Sequence, residues 1–93
     1  MTDTTQDLTP KQRQAIAWLL FWERQDLAFM PIEDVGFLSA CKALSRMGVV
    51  REIPGCRDVD SGAERLGFRL LPEHVKRAEE IEAEERSRGF VVA

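Results

Sequence analysis

Few side chains in this 93-residue chain are placed to do chemistry, and the best placed are basic. Lys42 and Arg46 stand four residues apart in FLSACKALSRM, so on a helix they lie side by side. A guanidinium there can grip a guanine edge or a phosphate with paired hydrogen bonds, while an ammonium acts mainly as a point charge on phosphate. Ser39 shares their side of the stretch, and Arg57 and Arg65 flank a polar segment further on.

The other constellations are weaker. Asp58-x-Asp60-x-Gly62-x-Glu64 alternates carboxylates about a glycine as a calcium site does, but its spacing is not that of the twelve-residue loop, and it reads as a solvated turn. His74 is the single histidine and has no Ser, Cys or Asp arrangement beside it. Cys41 falls on an apolar face and is expected to be inert; Cys56 falls in a loop and is open to oxidation, though a redox role needs a lowered thiolate pKa. Two cysteines make no disulfide framework and lack the partners of a zinc site. The expectation is a protein without catalytic activity, metal or cofactor.

The elements that must position these groups follow from spacing. Thr9-Pro10-Lys11-Gln12 predicts a helix start with a capping box, the helix running to about Gln25. Its apolar run, Ala15 to Trp22, is too continuous for one helical stripe. Trp18, Phe21 and Trp22 are therefore candidates for a dimer or partner interface, with Phe90, Val91 and Val92 as the alternative cover from within the chain. Leu27 to Met30 is apolar enough for a short third strand, and Ile32 to Gly36 has room for one helical turn.

In the next stretch Phe37, Ala40, Cys41, Leu44 and Met47 make one buried helical face, with Ser39, Lys42, Ser45 and Arg46 outside and Gly48 as the stop. Val50 and Ile53 anchor an extended segment before Pro54-Gly55, CRDVDSGAE forms a long loop, and Leu66, Phe68 and Leu70 alternate in a return strand. A last helix starts after Leu71, with Val75, Ala78 and Ile81 as a thin stripe and EAEERSR projecting into water. Glu73–Arg77, Glu82–Arg86 and Glu84–Arg88 are acid-first pairs on it. Glu79, Glu80, Glu82, Glu84 and Glu85 form a dense row that is either a solvated face or a mimic of a nucleic-acid backbone.

Length allows one modest core, so a lead-in over 1–8, a single domain over 9–89 and a tail over 90–93 are expected. The net charge of −3 removes any general electrostatic argument for binding a polyanion, yet residues 36–71 carry six cations against four acids. The acidic, polar first ten residues signal neither secretion nor organelle import, and no apolar run reaches the ~20 residues of a membrane span, so a cytoplasmic location is expected.

The order of elements, and the step Ala40, Cys41, Leu44, Gly48, Val49, Val50 with the exit Phe68-Arg69-Leu70-Leu71-Pro72-Glu73, resembles the winged helix-turn-helix domain of bacterial repressors over residues 10–82. The resemblance implies a mainly α fold with a small β-hairpin (α+β), made of three helices and a two- or three-stranded antiparallel wing. It implies a homodimeric transcriptional regulator that binds duplex DNA through Ser39, Lys42 and Arg46 on the recognition helix and Arg57 and Arg65 on the wing. Residues 31–36 are too few for a separate positioning helix and turn, and Leu38 stands where such proteins usually have a polar residue. The rival expectation is a small acidic interaction module or inhibitor, of a phage or mobile-element kind, directed at a host protein complex that processes nucleic acid.

Overall fold

The computed structural model describes residues 8–31 and 34–92. Helix α1 (Pro10–Glu23) begins with both halves of the expected capping box: Gln12 N–H donates to Thr9 Oγ1 at 3.2 Å and Thr9 N–H to Gln12 Oε1 at 3.1 Å. It stops two residues short of Gln25 because the chain turns, with Asp26 in the left-handed region at φ 59° and Leu27 N–H returning to Trp22 O. Asp adopts this conformation at lower cost than most side chains.

Helix α1 is the centre of the molecule. Ala15, Ile16, Ala17, Leu19 and Leu20 are all buried, since α2 (Val35–Arg46), β2 (Glu64–Leu70) and α3 (Val75–Ser87) each pack against it. Much of the apolar surplus that exceeds one stripe is thus absorbed by neighbours on several sides within the same chain.

Asp34 caps α2, its Oδ1 accepting Phe37 N–H at 3.1 Å, while Ile32 and Glu33, part of the expected turn, lie outside the described residues. Val35 and Gly36 already belong to α2, and among the described residues no separate helix lies between α1 and α2. Ala40, Cys41 and Leu44 are buried as the spacing predicts. Gly48 closes the helix at φ 78°, and Val49 N–H returns to Leu44 O.

Strand β1 (Val50–Arg57) pairs antiparallel with β2 from Val50↔Leu70 to Arg57↔Glu64. β1 does not end at Pro54-Gly55 as expected. The register slips by one residue between Ile53 and Cys56, with Gly55 at φ 76°, so the proline that cannot donate to the ladder sits in a bulge and pairing resumes. Gly67 makes this possible: a Cβ there would meet Cys56 Sγ at 2.5 Å and Ala28 Cβ at 3.0 Å. The expected third strand reduces to a single bridge, in which Phe29 and Phe68 exchange both backbone hydrogen bonds at 2.9 Å.

A 3-10 turn (Pro72–His74) leads into α3, whose course corrects the sequence expectation. Its end does not project freely into water, because Glu82 and Glu85 continue the buried face begun by Ala78 and Ile81. Arg13 Nε reaches Glu85 Oε2 at 2.9 Å and Arg24 reaches Glu82 at 2.7 Å, with Arg13 also bound to Glu84. Arg86 pairs with Glu82 at 3.2 Å as expected, and Arg88 binds Glu85 at 2.8 Å. Burial of charge requires such partners, and these acids have them. The architecture is a three-helix, two-strand α+β fold, and among the described residues no helix is long and apolar enough to cross a membrane.

Candidate nucleic-acid interface

The outer face of α2 presents Val35, Ser39, Lys42 and Arg46, all exposed and spaced along one side of the helix. The twelve residues of α2 contain no acid. The acid nearest in sequence is Asp34 at the cap, and Lys11 sits 3.0 Å from its Oδ2. That ammonium, followed by the Phe37 N–H, holds the Asp34 carboxyl below its usual range. Lys42 and Arg46 have no hydrogen-bond or ion-pair partner among the described residues.

Leu38 does not share this face. It is half-buried against the core and, with Met30, Pro31, Glu64, Arg65 and Leu66, lines a groove between α2 and β2. Glu64 and Arg65 lie on the hairpin side of that groove. Arg57 lies at the hairpin tip, where its guanidinium donates to Gly62 O at 2.7 Å and braces the loop. Asp58 is drawn into the same turn, accepting from Asp60 N–H at 3.0 Å and the Ser61 hydroxyl at 2.9 Å, which depress its pKa in that order. Asp60 and Glu64 remain exposed.

Arg51, near the start of β1, is a further exposed cation. It pairs across the hairpin with Arg69, but Arg69 is held by Glu23 at 2.6 Å and Asp26 at 2.8 Å, which raise its pKa. Arg51 is exposed without a partner among the described residues. Its place next to buried Val50 in an alternating strand is the signal that would have found it.

The aromatic residues of α1 form a cluster with the connector. Trp18 stacks on Phe29 at 6.1 Å and 9°, and Phe21 stands edge-on to Trp18 at 6.0 Å and to Trp22 at 5.2 Å. Phe29 meets Phe37 of α2 edge-on at 6.2 Å. The connector thus covers Trp18 in part, and Trp18, Phe21 and Trp22 all remain half-buried. Phe90 makes no ring contact with this cluster among the described residues; its N–H returns to Glu85 O at the end of α3, and Val91 is 75% exposed. Between the cluster and the hairpin tip lies a groove of about 760 Å³.

The remaining sites are quieter. Burial pushes the Cys41 thiol up to about 12, far from a reactive thiolate. Cys56 is half-buried beside the bulge with its Sγ 3.3 Å from Ile53 O, and His74 is half-buried in the 3-10 turn. Among the described residues no three His, Cys, Asp or Glu side chains converge as a metal site. The acidic row of α3 is not a free surface either, since Glu82, Glu84 and Glu85 are engaged by arginines from α1 and α3. Comparison with protein-family models, curated proteins and solved structures returned no match to this chain.

Proposed function

We propose that this protein is a non-catalytic, winged-helix-like regulator that binds duplex DNA through the outer face of α2 and the adjoining hairpin. The supporting observation is the separation of charge. Lys11, Arg13 and Arg24, the cations of α1 and its C-cap, are all bound to acids, whereas α2 carries Lys42 and Arg46 unpaired among the described residues and no acid at all. In this reading α2 enters the major groove, Arg46 and Lys42 contact base edges or phosphates, and Arg65 and Arg51 with Arg57 approach the neighbouring backbone. A homodimer would present two such helices to half-sites one turn apart.

The test is Lys42→Ala/Arg46→Ala in a fluorescence-anisotropy titration with duplex DNA across a range of salt. Both side chains are exposed, so folding should be unaffected. Affinity should fall at least about tenfold. If both contact phosphate, the slope of log K against log salt should become shallower by about 1.8. Unchanged affinity and slope would refute the assigned face, and wild-type protein that binds no duplex at low salt would refute DNA binding itself.

A further inference from the structure

We infer that the groove between the aromatic cluster of α1 and the hairpin tip is a binding site for a small hydrophobic monocation. This goes beyond DNA binding and does not depend on it. A volume of about 760 Å³ falls within the roughly 300–1,000 Å³ of small-molecule sites. The rings of Trp18, Trp22, Phe29 and Phe37 line one side. Leu27 and Val59, 51% and 93% exposed, border it as well. They are two of the four large apolar side chains left exposed among the described residues.

Charge selects the class of ligand. The groove is lined by Asp34, Asp58 and Asp60 against Arg57. Lys11 pairs with Asp34 and Arg65 acts electrostatically on Asp58, so Asp60 is the rim carboxylate with neither among the described residues. Arg57 is turned onto Gly62 O and Asp58 into its own turn, while Asp60 has no side-chain partner among the described residues. An anion would meet a like charge and a monocation an unmatched carboxylate.

The protein already seats one cation in the required manner at this rim. Lys11 Nζ lies 3.9 Å from the Phe37 ring centroid and 3.0 Å from Asp34 Oδ2, an ammonium held between a ring and a carboxylate. Trp18, Trp22 and Asp60 line the same groove, and among the described residues no cation of the chain is bound to them.

The chain contains only two tryptophans and both line the groove, so intrinsic fluorescence reports occupancy without background from elsewhere. Tetraphenylphosphonium and tetraphenylborate are nearly the same shape with opposite charge. Titration of the full chain with tetraphenylphosphonium should change the fluorescence saturably below millimolar concentration. Tetraphenylborate should bind at least about tenfold more weakly. Asp60→Asn, an exposed substitution, should weaken the cation about fivefold, the order expected of one partly screened unit charge. No saturable change up to millimolar tetraphenylphosphonium, equal or tighter binding of the borate, or an unaltered cation affinity in Asp60→Asn would each overturn the inference. All are read without DNA, so they stand or fall separately from the DNA reading.

Discussion

Replacing Glu85 with Ala removes the acid at the centre of the α1–α3 contact. The Glu85 side chain is 5% exposed and receives Arg13 Nε at 2.9 Å and Arg88 at 2.8 Å. The Arg13 side chain is itself 13% exposed, so the substitution leaves a largely buried guanidinium with Glu84, 48% exposed, as its remaining acid. Breaking one partner of a buried pair costs ~3–5 kcal/mol, and the surviving Glu84 places this case near the lower end, at about 3 kcal/mol. A domain of this size loses ~4–8 °C of Tm per kcal/mol, which gives a fall of about 12–24 °C in thermal unfolding followed by circular dichroism. Glu80→Ala is the control, because the Glu80 side chain is 55% exposed and pairs with Arg77 on the same helix, a contact of about 0.2–0.5 kcal/mol. Arg13→Met/Glu85→Leu should return the protein to within about 1 kcal/mol of wild type or exceed it, since apolar packing replaces both charges together. If Glu85→Ala costs no more than Glu80→Ala, the reasoning is wrong and α3 is held by Ala78 and Ile81 alone.

Acid should weaken the fold with a definite sign. Asp34, Asp58 and Glu84 all have pKa values lowered in the folded state, by Lys11, by the Asp60 N–H and by Arg13 respectively. The unfolded chain then binds protons more readily, so their contribution is present in full above the ordinary carboxylate range, about pH 4–5, and is lost as pH falls through the lower folded values. Urea midpoints measured from pH 7 down to pH 2 should be level at first and then decline; a rise on acidification would contradict those contacts. At the hairpin, Gly67→Ala should cost ~1–3 kcal/mol by overpacking against Cys56 and Ala28, and Cys56→Ala should restore part of that loss in the double variant, as urea unfolding would show. Additive losses would mean that the thiol is not the obstacle.

Local chemistry was the readable part of the sequence. The Thr9–Gln12 box and the Gly48 stop each depend on a few neighbouring residues, and each is found where it was expected, whereas the Leu66–Leu70 alternation breaks at Gly67, which is buried against Cys56 and Ala28. The exposure of Lys42 and Arg46 was readable for a related reason. Once Ala40, Cys41 and Leu44 claim the buried face, the opposite face has nowhere to go but solvent. Misjudged features depend on partners distant in the chain. Glu85 is buried because of Arg13, 72 residues away, and Glu82 because of Arg24, 58 residues away. In sequence the same acids look like any solvated helix face. Pro54 looked like a strand end because the bulge that accommodates it requires the missing side chain of Gly67 on the opposite strand. Periodicity, which counts one helix at a time, also does not show that three elements pack around α1 and bury Ala15, Ile16, Ala17, Leu19 and Leu20.

Those distant pairs also bear on how a chain of net charge −3 can be read as a DNA binder. Arg13 of α1 and Arg24 at its C-cap are bound to acids of α3, and Arg69 is bound to Glu23 and Asp26, so these groups largely cancel at close range. What distinguishes α2 is two cations left without such cancellation. At physiological ionic strength the screening length is about 8 Å, and a phosphate docked on α2 would respond mainly to Lys42 and Arg46 rather than to the charge of the whole chain. At about 0.01 M salt the length grows to about 30 Å, and the overall negative charge would then oppose approach. Lowering salt therefore strengthens the contact while weakening the attraction at a distance. A face built this way should gain affinity at low salt chiefly through slower dissociation, with association rates well below those of a uniformly basic DNA-binding domain.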